Sequence, residues 1–315
     1  MSGSGKVLLA APVHSVLTDG LEAAGYELLY ASGIRQADAP ALLRPCVGVI
    51  TSTRLQLDAA LIDAAPDLRW IGRMGSGMEV IDVPYATAKG IACIGSPEGN
   101  SNAVAEHALG LLLGITKRIA HSAEEVKSGQ WLREENRGTE LEGRTIGLIG
   151  FGHTGRAFAR KLQSMDMQIL AYDKQPITDA PPYVKPCASL ERIWDEAGIL
   201  SFHVPMAADT FHYFNEAFAG RMRHPAILLN TSRGNVVDAT ILPGLLESGK
   251  LLGAGLDVWE DEPPERMDPK QRALMIQVAA LPQVIVTPHI AGYTFEALFK
   301  MSAILLQRIM ALKGS

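Results

Sequence analysis

Residues 147–155 read GLIGFGHTG. The stretch follows RTI, which reads as a buried strand, and opens RAFARKLQSM, which has helical spacing. Gly150, Gly152 and Gly155 stand at the spacing G-x-G-x-x-G. That spacing alone also suits a plain packing turn. Between a strand and a helix it predicts a dinucleotide cradle. The first glycine makes the tight turn, the second lets backbone approach a phosphate, and the third lets helix and strand pack closely. The helix N-terminus, with His153 and Thr154, then offers free N–H groups and a positive dipole end to a pyrophosphate.

Outward from this turn, short apolar runs alternate with amphipathic ones. KVLLAAP, YELLYA, VGVITS, LRWIGRMG and IACIGS read as strands before it. RTIGLIG, QILAYD, ILSFHVP, AILLNTS, LLGAGLDVW and VIVTP form a second series. Helical pieces lie between them, such as DAALIDAAP, which Asp58 is placed to cap. The alternation predicts an α/β chain of two doubly wound parallel-sheet domains, Rossmann- or flavodoxin-like. Between the two series runs EGNSNAVAEHALGLLLGITKRIAHSAEEVKSG, a long helix capped by Ser101 or Asn102. EDEPPERMDP reads as an acidic, Pro-rich loop, and a last helix is expected from about Thr294 to Leu312.

Composition narrows the class. The 315 residues are long enough for two domains. With 29 Lys+Arg against 34 Asp+Glu, the net charge of −5 gives no case for binding nucleic acid or an anionic membrane. Cys46, Cys93 and Cys187 are scattered, which fits a reducing cytoplasm and neither a disulfide framework nor a zinc site. No metal is expected. LGLLLGI at 109–115 is far below membrane-spanning length. VLLAA is too short for a signal-peptide core, and MSGSG reads as a flexible lead.

The strand QILAYD ends in Asp173, 18 residues beyond Gly155. A carboxylate there accepts hydrogen bonds from both adenine-ribose hydroxyls and repels a 2′-phosphate, which favours NAD over NADP. Lys174, next in line, weakens that preference. Three later stretches run from strand into loop: NTSRGNVVD (230–238), GLDVWEDEPP (255–264) and VTPHIAGYT (286–294). They put Arg233, Glu262 and His289 at carboxyl ends of strands, where ligands bind in open parallel sheets.

At this point the chain resembles the D-isomer-specific 2-hydroxyacid dehydrogenase family, within it the D-3-phosphoglycerate dehydrogenase-like branch. RMGSGMEVID, GNSNAVAEHALGLLL, GLIGFGHTG, HVP, NTSRGNVVD, LDVWEDEPP and TPHIAG occur in the family's order over nearly the whole chain. The resemblance implies an NAD-dependent oxidoreductase that interconverts a D-2-hydroxy acid and its 2-keto acid. Its active-site cleft would lie between the two domains, which would close around the cofactor. It implies His289 as proton donor, Glu262 as the carboxylate on its other ring nitrogen, and Arg233 as the fork for the substrate carboxylate. Chemistry supports each: histidine titrates near working pH, and guanidinium matches a carboxylate as ammonium does not.

The same resemblance places Asp257 at the nicotinamide carboxamide, with Thr231 and Gly292 nearby. His203 and Pro205 would shape the cofactor pocket, although His203 could equally be a core residue, and His107 reads as structural. Gly75, Ser76, Gly77 and Met78 would present backbone N–H groups to the substrate. In TSTRLQ, Arg54 fits the second of two basic positions used for a substrate phosphate, and Ser52 stands where the first is expected. One Arg suits a dianion poorly, so 3-phosphoglycerate is doubtful. This leaves room for smaller acids such as glyoxylate, hydroxypyruvate or a branched 2-keto acid. The chain ends soon after its last helix, so the branch's regulatory domain is not expected. A substrate-binding domain of 1–100 plus 286–315 and an NAD-binding domain of 101–285 are implied, as is a homodimer through the helix 102–120. An NADPH-dependent glyoxylate or hydroxypyruvate reductase and a non-catalytic dinucleotide-sensing protein are the alternatives.

Overall fold

The computed structural model describes residues 5–312, so most of the MSGSG lead lies outside the described residues. The chain divides into two units, one of residues 1–101 and 293–315, the other of residues 102–292.

In the first unit, β1 (Lys6–Leu9), β2 (Glu27–Tyr30), β3 (Cys46–Thr51), β4 (Trp70–Arg73) and β5 (Ala92–Gly95) form a parallel sheet in the order β2-β1-β3-β4-β5. Leu8, Val49 and Ile71 on its inner strands are fully buried. Asp58 caps its helix as read from sequence, accepting from Leu61 N–H at 2.8 Å. The terminal helix, Phe295–Leu312, packs here: Arg308 bonds the Gly95 carbonyl and the Glu98 carboxylate.

The second unit holds β6 (Thr145–Ile149), β7 (Gln168–Tyr172), β8 (Val184–Cys187), β9 (Ile199–Phe202), β10 (Ala226–Asn230), β11 (Leu251–Leu256) and β12 (Val284–Val286). All its pairings are parallel, in the order β12-β11-β10-β9-β6-β7-β8. The sheet grows to one side of β6 and then restarts on the other with β9. The carboxyl ends of β6 and β9 therefore flank a switch point, the usual place for a ligand.

Three readings are corrected. The return to the first unit comes at Tyr293, not 286, because β12 pairs with β11 and Asp257 binds the backbone of Ile290 and Ala291. The long helix starts at Pro97, whose missing N–H is harmless in a first turn. It stops at Thr116, and a separate helix, Ile119–Lys127, follows Arg118 in left-handed backbone (φ 53°). EDEPPERMDP is a loop only up to Asp268, which caps the helix Pro269–Ala279 in a capping box with Gln271.

Candidate active site

Each glycine of the loop has its own reason. Gly150 has φ 93°, and a Cβ there would lie 2.4 Å from the His203 carbonyl oxygen. A Cβ on Gly155 would lie 2.3 Å from the Gly150 carbonyl oxygen, so the helix His153–Leu162 could not sit so close with a larger residue. At Gly152 a Cβ would meet no atom within 4 Å. That position is bare on its outer side. Gly152 is also the helix N-cap and has no side chain to satisfy the first N–H groups. His153 is exposed and Thr154 half-buried at this end.

Asp173 is tied to the same loop. Its Oδ2 accepts from Phe151 N–H at 2.7 Å and its Oδ1 from Gln175 N–H at 3.0 Å. A carboxylate has about four acceptor sites, so both oxygens keep capacity for ribose hydroxyls. Lys174 is engaged with Asp209 in an exposed ion pair.

Two buried polar atoms at the neighbouring strand ends have no hydrogen-bond partner: His203 Nδ1 after β9 and Thr231 Oγ1 after β10. His203 Nε2 faces the Ser201 hydroxyl at 2.9 Å, and its ring packs edge-on against Phe158. Burial pushes its pKa down to about 4, so the ring is neutral at pH 7. Two orphaned atoms beside a bare glycine loop fit a polar ligand such as NAD.

The candidate side chains Arg233, Glu262 and His289 come from the adjacent ends of β10, β11 and β12. Asn230 ends the otherwise apolar β10 and is buried. Its Nδ2 donates to the Arg233 carbonyl at 2.9 Å, and its Oδ1 accepts from the N–H and hydroxyl of Ser232. It thereby shapes the turn that presents Arg233, whose Nη1 donates to the Ser232 carbonyl at 2.7 Å. Gly234 follows because a Cβ would fall 2.1 Å from the Trp259 backbone. The loops after β10 and β11 thus touch.

Glu262 Oε2 accepts from Trp259 N–H at 3.0 Å, while its Oε1 bonds Nδ1 of His289. That contact leaves Nε2 as the other ring nitrogen of His289. His289 has φ 54°, a strained conformation for a histidine. Asp257 over-determines it. The Asp257 carbonyl accepts from His289 N–H at 2.7 Å. Its fully buried carboxylate accepts from Thr287 Oγ1 (2.6 Å), Ile290 N–H (2.9 Å) and Ala291 N–H (2.7 Å). His107 stands 3.3 Å away and also contacts the Thr287 hydroxyl. Burial raises the Asp257 pKa, but these bonds outweigh it and hold the carboxyl below its ordinary value. Among the described residues, Arg233, Glu262 and His289 are thus brought to one sheet edge, with Gly292 half-buried just beyond. Pro205 is exposed after β9.

In the first unit Arg54 is exposed. Gly75 has φ 134° and exchanges hydrogen bonds with Ser96, which turns the loop at the end of β4. Ser76 is exposed, Gly77 buried and Met78 half-buried. Asn230 is the residue that motif reading missed. Its signal was present, as a lone amide ending an apolar buried strand.

Comparison with known proteins agrees with this geometry. Residues 109–291 match the model of the D-isomer specific 2-hydroxyacid dehydrogenase NAD binding domain. The chain belongs to that family. It is 36% identical to a glyoxylate reductase from Thermofilum pendens over 82% of this chain and 76% of that enzyme. It is 30% identical to a D-3-phosphoglycerate dehydrogenase from Archaeoglobus fulgidus over 97% of this chain, and spans 56% of that protein's length. The fold matches D-lactate dehydrogenase from Aquifex aeolicus, solved with NAD and lactic acid, at TM-score 0.85 and 27% identity, covering 98% and 96% of the two chains. The protein is thus an oxidoreductase that uses NAD and acts on the CH–OH group of a 2-hydroxy acid.

Proposed function

We infer that the chain reduces a small 2-keto acid to the D-2-hydroxy acid, and catalyses the reverse, with His289, Glu262 and Arg233 as its catalytic residues. The observation that carries this reading is the contact between His289 Nδ1 and Glu262, which leaves Nε2 to face a substrate. Bound NADH supplies the hydride to the carbonyl carbon. His289 Nε2–H gives its proton to the carbonyl oxygen, and Glu262 stabilises the imidazolium from which that proton comes. Arg233 takes the substrate carboxylate in a fork and polarises the carbonyl. One hydride and one proton are consumed for each alcohol formed, and the reverse reaction returns the proton to His289.

The cofactor reading rests on Gly150, Gly152, Gly155 and Asp173, with the N–H groups of His153 and Thr154 at the pyrophosphate. His203, Pro205, Thr231, Asp257 and Gly292 would line the rest of the cofactor. Asp173 and the engagement of Lys174 by Asp209 both favour NAD over NADP. Arg54, Ser76, Gly77 and Met78 are proposed to bind substrate, and the lone Arg54 favours an acid without a phosphate.

We also propose a cytoplasmic homodimer. No helix among the described residues is long and apolar enough to cross a membrane. Leu111, Leu112 and Ile115 of the long helix are covered by their own chain. The support for a dimer lies instead just beyond them, where Ile119, Val126 and Trp131 are exposed. Sedimentation at the mass of one chain would refute it.

The test of the activity is NADH and NADPH oxidation at 340 nm against glyoxylate, hydroxypyruvate, 3-phosphohydroxypyruvate, pyruvate and 2-ketoisocaproate. Faster turnover of an unphosphorylated acid with NADH supports the reading. Tight NADH binding with no turnover of any acid would favour a sensor.

A further inference from the structure

A second histidine, outside the reacting set, ties together the loops that carry it. His212 lies after β9 in left-handed backbone, with φ 47°. Its N–H donates to the Asn235 carbonyl at 2.7 Å, two residues beyond Arg233. Its Nε2 faces Glu260 Oε1 at 3.1 Å, two residues before Glu262, and its Nδ1 faces Asp238 Oδ2 at 3.9 Å. Glu260 Oε1 also accepts from Ala239 N–H at 3.1 Å. Phe214 bonds Val236 and Asp238 through backbone, and Phe211 stacks on the His212 ring at 4.0 Å. The three side chains are half-buried, where their bonds are less screened than on open surface.

We propose that His212 is a positioning residue for Arg233 and Glu262. Resting on the reading above, it clamps the loop after β10 to the loop after β11, holding Asn235 by its N–H and Glu260 by its ring. The clamp acts on backbone at Asn235 and on the loop between Trp259 and Glu262, the two segments that meet at Gly234. A left-handed histidine is costly. Here it is the conformation in which one residue reaches Asn235 by its N–H and Glu260 by its ring.

A metal ion is the competing occupant, since one ligand atom from each of His212, Asp238 and Glu260 lies within 4.8 Å of the others. The hydrogen bonding argues against it. The two ring nitrogens face different carboxylates, and Glu260 Oε1 already accepts a backbone N–H. A cation would have to displace these bonds.

The experiment compares wild type with His212→Ala, Glu260→Ala, the double variant and His212→Gln, which keeps an N–H donor. Hydrogen exchange is read at residues 232–239 and 258–262, with the glycine loop as internal control. kcat/KM for the best acid and the Kd for NADH are measured in parallel. The expected result is faster exchange confined to the two loops and kcat/KM lower by about tenfold. The NADH Kd stays unchanged, the double variant is no worse than the worse single one, and His212→Gln recovers part of the loss. Unchanged loop exchange would overturn the proposal, as would a lower Tm with kcat/KM intact. So would loosening of the wild-type loops by EDTA that zinc reverses, which would make the cluster a metal site. If wild type reduces no acid, the proposed function fails, and the exchange measurement still decides the clamp.

Discussion

Asp257 holds the backbone of His289 rather than its ring. Its carbonyl takes the His289 N–H, and its carboxylate takes the next two N–H groups and the Thr287 hydroxyl. Replacing it with Ala takes the acceptor from three donors, the buried Ala291 N–H and the partly buried Ile290 N–H and Thr287 hydroxyl. The expected cost is about 2–5 kcal/mol of stability. Asp257→Asn, which keeps one acceptor oxygen, should lose less stability, yet still lose turnover because the His289 loop relaxes. Urea denaturation and kcat measured on both variants check this. Equal stability in all three proteins would refute the strut.

The glycine loop separates fold from cofactor binding. Gly152→Ala places its methyl in open space. It should fold with wild-type Tm and weaken NADH binding by about tenfold or more, because the methyl meets the pyrophosphate. Gly150→Ala strains a backbone at φ 93° and drives a methyl into the His203 carbonyl. It should lower the yield or the Tm whether or not NADH is present. Equal effects at the two positions would contradict the assignment.

How far the sequence was legible follows from where the signals are local. Period, capping and glycine spacing are properties of a few consecutive residues, so most strands, the Asp58 cap and the strand–glycine turn–helix unit could be read directly. β8 (VKPC) was not read, because it is short and carries a proline and only one fully buried residue. The return to the first unit was placed too early because it is fixed by Asp257, more than thirty residues upstream of the loop it holds. His212 was passed over for the same reason: its partners are brought to it from the ends of two other strands, β10 and β11.

Cofactor choice gives a third prediction. Asp173 would repel a 2′-phosphate, and Asp209 pairs with Lys174, the next residue. Asp209→Ala frees Lys174 and should raise kcat/KM for NADPH a few-fold while leaving NADH nearly unchanged, since exposed pairs are weak. Asp173→Ser combined with Asp209→Ala should raise it further. Initial rates with both cofactors decide; no gain in the double variant would exclude Lys174 from selectivity.

Acid stability should fall in a defined window. The His203 pKa is lowered from 6.5 to about 4 by burial. Between those values the unfolded chain binds a proton that the folded one does not. Stability therefore declines as pH drops from about 6.5 to about 4, by roughly 3 kcal/mol for this group. Asp257, held below its ordinary value, adds a further loss only at lower pH, as its folded form takes up a proton. Denaturation midpoints across pH 4–7 should slope less in His203→Gln. An unchanged slope would mean that other groups carry the acid sensitivity.

The most direct test of the central claim is a single comparison at 340 nm. Wild type and His289→Ala are assayed with NADH and the best keto acid, and NADH binding is measured on both. The account expects kcat to fall by about 10²–10⁴-fold in the variant with NADH affinity retained. Near-normal turnover without the His289 ring would contradict it.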